Sequence, residues 1–207
     1  MIHPRSLVLL IGLLIAFATP KAFALKLIAY KVSDTIPVKN ISKQKLMKYA
    51  EDWFNSEKPK LKLIRKNTEQ FVLEGKGFLP YYNHVNLEDV FLSPRAAERT
   101  NGNIVYYIKI IIQDSVVIAE FSEFNHEPYF NEYGSFSFGR IYDYENAPPG
   151  VCMENKQWCN MVWQEMKSRS TEDVLDHSSR LIPESARRKK GKVFKVELDE
   201  VPVEVDK

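Results

Sequence analysis

Apolar and polar residues alternate along this chain in two distinct rhythms. From Ser42 the apolar positions Leu46, Ala50, Trp53 and Phe54 recur at helical spacing. Ser42 is a good N-cap, and Ile41 and Leu46 have the spacing of a hydrophobic staple. Pro59 disfavours helix in the residue before it, so the helix should end near Glu57. Ahead of it, residues 27–32 and then Ile36-Pro37-Val38 read as a first strand. Behind it, residues 61–64 and 71–78 read as strands. Gly75 and Gly77 in the second of these indicate a bulge or a close backbone approach. Ile104–Ile112 and Val116–Phe124, rich in β-branched and aromatic residues, are joined through Gln113-Asp114-Ser115 as a tight hairpin.

Residues 79–102 and 125–151 lack either rhythm and read as long connections. Trp158, Met161, Val162, Glu165 and Met166 suggest a short helix. Ser170 is expected to start a second one with Val174, Leu175, Leu181 and Ile182 on its apolar face, kinked or ended by Pro183. Residues 191–207 alternate apolar and charged, as an edge strand or a loose tail would. The predicted fold class is α+β: a curved antiparallel sheet of about five strands in the order β-α-β-β-β-β-α, with the helices on one face.

The opening segment adds a destination. Arg5 precedes an uncharged apolar run from Leu7 to Ala18, and Ala22-Phe23-Ala24 has the small-x-small pattern of a signal-peptidase site. A membrane-spanning helix needs roughly 20 apolar residues. Here Thr19, Pro20 and Lys21 break the run, and no later segment is long enough to span. Residues 1–24 are therefore expected to be removed, residues 25–190 to form one domain, and the chain to be periplasmic or extracellular. Of 29 Lys and Arg against 27 Asp and Glu, Arg5 and Lys21 leave with the leader, so the exported chain is formally neutral. A nucleic-acid binder usually carries a basic surplus, so no nucleic-acid partner is expected. Cys152 and Cys159 are the two cysteines, and an oxidising compartment favours a bridge between them over two free thiols. Seven positions rise about 10 Å along a helix. A bridge therefore requires Cys152 in the Pro148-Pro149-Gly150 loop and Cys159 in the helix after it.

At this point the chain resembles a known family. Ile41-Ser42-Lys43-Gln44-Lys45-Leu46 leading into Ala50-Glu51-Asp52-Trp53-Phe54, then Leu73-Glu74-Gly75-Lys76-Gly77, the hairpin of 104–124 and a closing amphipathic helix carry the resemblance. They are similar to the exported bacterial domain of unknown function 4468, described as having a TATA-binding-protein-like fold. The resemblance covers residues 26–124 and 171–187. It implies a fold and an exported location, and supplies no catalytic residue. The fold name does not imply DNA binding.

No motif for chemistry stands out. Gly134-Ser135-Phe136-Ser137-Phe138-Gly139 lacks the G-x-S-x-G spacing, and Gly75-Lys76-Gly77 lies inside a strand where a phosphate loop would follow one. His126-Glu127 begins like a zinc-protease helix, but Phe130 stands where the second His belongs. Glu120, Glu123, Glu127 and Glu132 form an acidic run with the residue types for glycosidic acid–base work, though Glu120 also suits the wet face of a strand. No cofactor is expected.

The unusual feature is aromatic density. Nine of the chain's 25 aromatic residues, Phe121 to Tyr144, fall in 24 positions. They form either a contact surface or a small core under their own loop. The first alternative places Tyr82, Tyr129, Phe130 and Tyr133 against a protein or glycan partner. The function expected is a non-catalytic exported binding or envelope-associated module. The alternatives are a carrier of a small apolar ligand held between sheet and closing helix, and an enzyme of unrecognised type.

Overall fold

The computed structural model describes residues 28–58, 60–85, 92–93, 95–188 and the short strand 193–195. The leader and its cleavage point lie outside these residues. The strands are β1 (Val32–Pro37), β2 (Leu61–Asn67), β3 (Val72–Tyr81), β4 (Gly102–Ile112), β5 (Val116–Pro128), β6 (Gly139–Arg140) and β7 (Val193–Lys195). The helices are α1 (Lys43–Ser56), α2 (Ala96–Arg99) and α3 (Lys156–Ser178). The strands form one antiparallel sheet in the order β2-β3-β4-β5-β1-β7, with β6 pairing with β5 to one side. The predicted class and element order hold. The strand count rises from about five to seven: β6 has only two residues and leaves no periodic signal, and β7 falls in the alternating segment 191–207, expected as an edge strand or a tail.

Helix α1 begins where its cap is. The Ser42 hydroxyl accepts from the Lys45 amide, and the helix closes at Glu57, whose amide donates to Trp53 O at 3.2 Å. Leu46, Met47, Ala50, Trp53 and Phe54 make its buried stripe. α1 packs against β2 and β4, and α3 against β1 and β3. The same sheet face is therefore covered throughout, and the core lies beneath both helices. Gly75 allows this approach. A Cβ there would stand 2.4 Å from Phe54 Cε1, closer than packed carbons tolerate. The Tyr106 ring presses on Gly77 in the same way.

Several boundaries differ from expectation. The first strand lies later in the chain, over Val32–Pro37, paired with Val116–Phe121. β3 runs through Pro80 to Tyr81, so the first long connection starts three residues late, and it carries α2. Pro80 is tolerated because pairing with β2 ends at Leu61↔Gly77. The Phe78 amide still donates to Lys60 O, and two residues on the missing Pro80 N–H faces the free edge. The closing segment is one helix of 23 residues, capped by Asn155, whose side chain accepts from Gln157 N and Trp158 N. Ser170 lies buried in its middle. The helix stops at Ser178. Leu181 and Ile182 are buried beyond its end, and Pro183 leads a short 3-10 turn over Glu184–Ala186. Of the closing tail, Val193–Lys195 adds an edge strand beside β1.

β5 holds the feature that positions the candidate site. Its pairing with β4 shifts between Val105↔Asn125 and Tyr107↔Ser122, so Glu123 and Phe124 together oppose Tyr106. Glu123 adopts φ 57°. This bulge resets the alternation: Val117, Ala119 and Phe121 are buried before it, Phe124 and His126 after it.

The helical layer is cross-tied by Trp53, whose indole Nε1 donates to His177 O at 3.0 Å. Trp53→Ala should therefore lower stability by about 3–5 kcal/mol, measured as a shift in the urea midpoint at constant slope. A shift too small to measure would mean that the ring is not buried between α1 and α3.

Candidate contact surface

β5 ends at Pro128, and the next residues run across the short helix α2 and the turn after it. Tyr129 N donates to Asn101 O at 2.7 Å, Asn131 Nδ2 to Glu98 O at 3.2 Å and Phe136 N to Arg99 O at 2.8 Å. The loop is thus held at three places, two through its backbone and one through the Asn131 side chain. Its rings divide into two sets. Phe121, Phe124 and Phe138 are buried in the core, and Phe136 and Tyr142 pack against it. Tyr129, Phe130 and Tyr133 are exposed, Phe130 by 90%. The aromatic run is therefore part core and part exposed surface.

Tyr82 is also exposed, and its ring centroid lies 6.5 Å from that of Tyr129. The end of β3 and the loop after β5 thus bring two of the predicted contact residues together. The Tyr129 hydroxyl donates to Asn103 Oδ1 at 2.9 Å. Partial burial first, and Tyr82 second, raise its pKa above the ordinary phenol value. The Arg95 guanidinium stands 3.9 Å from the Tyr133 ring centroid, a cation–π contact. Tyr81, the neighbour of Tyr82, turns inward and donates to Glu165 Oε2 at 2.7 Å.

His126 is the support that sequence reasoning missed. It is 1% exposed and bonded at both ring nitrogens. Nδ1 accepts from the Phe138 amide at 3.1 Å, so Nε2 carries the proton and donates to Thr100 O at 2.9 Å. The Ser137 hydroxyl returns a bond to His126 O at 2.6 Å. One neutral imidazole thus joins β5, the turn after α2 and the far end of the aromatic loop. The clue in the sequence was faint: His126 follows Phe124 by two and so shares its face, but only the bulge turns that face inward.

The acidic run does not converge on one point of chemistry. Glu120 pairs with Lys31 at 3.3 Å, Glu127 accepts from Asn125 Nδ2 at 3.4 Å and Glu123 occupies the bulge. Among the described residues no group of three or more His, Cys, Asp or Glu is placed to hold a metal. Cys152 and Cys159 are disulfide-bonded with Cα atoms 6.1 Å apart, one before α3 and one in its first turns. Beside the bridge, two open grooves of about 1020 and 870 Å³ run along the outer side of α3. They share Glu145, Asn146, Lys156 and Asn160 and contain none of the four exposed rings. The layer between α3 and the sheet is filled by Trp158, Val162, Trp163 and Met166. No helix among the described residues is long and apolar enough to cross a membrane.

The structure is thus an α+β protein with an open antiparallel sheet, helices on one face and an aromatic loop at the end of its longest hairpin. No family model matches the sequence, and no curated protein matches it. Among solved structures it is similar to a DUF4468 family protein from Bacteroides ovatus, with TM-score 0.46 and 6% identity over 76% of this chain and 89% of that one. It is also similar to a TBP-like protein from Parabacteroides distasonis, with TM-score 0.44 and 15% identity over 73% of this chain and 93% of that one.

His126 makes acid stability a readout of this support. Burial pushes its pKa down from 6.5 to about 4. Above pH 6.5 both folded and unfolded chains hold it neutral, and its contribution is complete. As pH falls from 6.5 to about 4 the unfolded chain takes a proton that the folded one refuses, and up to about 3 kcal/mol is lost. His126→Gln should lower stability at pH 7 and flatten the slope of stability between pH 6.5 and 4. His177, whose pKa is also lowered, by burial first and by Arg180 second, contributes to the slope left over. An unchanged slope, followed by urea unfolding at each pH, would contradict the buried neutral ring.

Proposed function

We propose that the chain is an exported, non-catalytic binding module whose contact surface is formed by Tyr82, Tyr129, Phe130 and Tyr133. The observation that carries this reading is the exposure of Tyr129, Phe130 and Tyr133 on a loop whose backbone is fastened to α2 and to His126, with the exposed Tyr82 ring beside Tyr129. Exposed aromatic side chains on rigidly held loops give large contact area at small entropic cost, and loops on a firm scaffold are where binding residues gather. The partner is a protein or a glycan. Export is supported by the leader pattern of residues 1–24 and is compatible with the Cys152–Cys159 bridge. The filled layer under α3 favours surface contact over a ligand carried inside.

The test is the triple variant Tyr129→Ala, Phe130→Ala, Tyr133→Ala. Partners are first recovered by pull-down of residues 25–207 from the native envelope. The variant should then bind the recovered partner at least tenfold more weakly, while stability falls by about 1 kcal/mol, as befits exposed positions. Full binding by the variant, or early unfolding of it, would show that these rings support their own loop.

A further inference from the structure

Charge is segregated along this chain, whose formal net charge is only +2. Residues 39–67 hold nine Lys or Arg against three Asp or Glu, whereas residues 113–155 hold eight acids and one Arg. The first stretch forms α1 and the edge strand β2. Lys43, Lys48, Arg65 and Lys66 have acidic partners in Asp114, Asp52, Glu74 and Glu51. Lys58, Lys60, Lys62 and Lys76 are exposed, and among the described residues none of them is ion-paired.

Two of these face each other. Lys62 of β2 and Lys76 of β3 are direct partners in the antiparallel register, on the sheet face that no helix covers. Directly opposed side chains have Cβ atoms about 4.5–5.5 Å apart, and like charges there are destabilising. The next residue in the same row is Tyr107, paired with Lys76, and Phe78 lies two positions along β3. Both rings are half-buried on this face.

We propose that this corner of the open sheet face, centred on Lys62 and Lys76 with Lys60 beside them, binds an acidic glycan bearing carboxylate or sulfate groups. Two adjacent ammonium groups repel each other until an anion lies between them, and among the described residues no carboxylate is ion-paired with either. A sugar ring has a polar rim and an apolar C–H face, and the neighbouring Phe78 and Tyr107 rings suit the latter. The basic corner is narrow. Glu74 and Glu120 stand on the same sheet face, so a broad anionic surface such as a bilayer or a nucleic-acid duplex would meet carboxylates as well as lysines. A single glycan strand can follow the row of Lys60, Lys62 and Lys76 and meets Glu74 only at its edge, beside Tyr107. This site is separate from the aromatic loop and independent of its role.

The test uses residues 25–207 with polygalacturonate, dextran sulfate, neutral dextran, phosphatidylglycerol-containing vesicles and a 20-base-pair DNA duplex. Binding to at least one of the two acidic glycans should exceed binding to neutral dextran tenfold at 50 mM salt and fall as salt rises. Lys62→Glu should weaken that binding tenfold while leaving the melting temperature unchanged or higher, because it converts a repulsive pair into an attractive one. Lys76→Gln, which removes charge with little change of shape, should weaken it at least threefold. Lys48→Glu on α1 and the Tyr129, Phe130, Tyr133 triple variant should stay within twofold of the native chain. Equal binding to neutral dextran, no loss in the Lys62 and Lys76 variants, or tighter binding to vesicles or duplex than to either acidic glycan would overturn the proposal.

Discussion

The bulge at Glu123 is the constraint on which the rest of the molecule depends. Side chains alternate strictly along a strand, so a β5 that continued its pattern from Phe121 would turn Glu123, Asn125 and Glu127 into the core. It would also turn Phe124 and His126 out. Two residues opposite Tyr106 exchange these sets. The acids stay in water, and Phe124 stacks on Tyr106 with centroids 5.5 Å apart. A non-glycine residue in the left-handed region costs about 1–2 kcal/mol. That is small beside the alternative of burying carboxylates without partners.

From this one backbone irregularity follow both the interior and the surface of the candidate site. His126 arrives inside, where a neutral ring serves as acceptor for Phe138 and donor to Thr100. The chain between Pro128 and Phe138 is thereby fixed at each end. Further bonds to α2 hold its middle, and the rings that have no place in the core are left outside. The opposite corner of the sheet follows a different rule. β2 is an edge, and edges are commonly guarded by lysines and bulges. Its register shift between Leu63 and Arg65 and its basic side chains fit that role. The Lys62–Lys76 pairing goes beyond it, because a guard needs no second lysine on the inner strand.

Much of the architecture was legible in the sequence where a single physical signal acted alone. Ser42, the stripe from Leu46 to Phe54 and Pro59 set α1 to within a residue of its observed ends. The run from Ile104 to Phe124 set the central hairpin, and Gly75 and Gly77 marked close approaches. Legibility failed where two signals competed. Ser170 looks like a cap, yet it continues the buried stripe Trp158, Val162, Met166, Ser170, Val174, His177 of one long helix. Pro80 looks like a break, yet it falls where β3 has outrun its neighbour. Tyr129, Phe130 and Tyr133 are candidates by the aromatic density of their segment and Tyr82 is an addition from the other long connection, but density alone does not separate the three from Phe124 and Phe138. That separation depends on the phase of β5, which is set by pairing with β4 across the hairpin.

The central claim is that the aromatic loop is a rigid platform pinned by buried bonds. Amide hydrogen exchange tests it most directly, at Tyr129, Phe136 and Phe138, whose N–H groups donate to Asn101 O, Arg99 O and His126 Nδ1. At pH 7 all three should exchange at least a hundredfold more slowly than in an unfolded chain, which corresponds to an opening free energy of about 3 kcal/mol or more. In His126→Gln the Phe138 amide should lose most of that protection while the amides of the hairpin centre, Ile108 and Ala119, keep theirs. Exchange at the unfolded-chain rate at these three amides in the native protein would contradict the account.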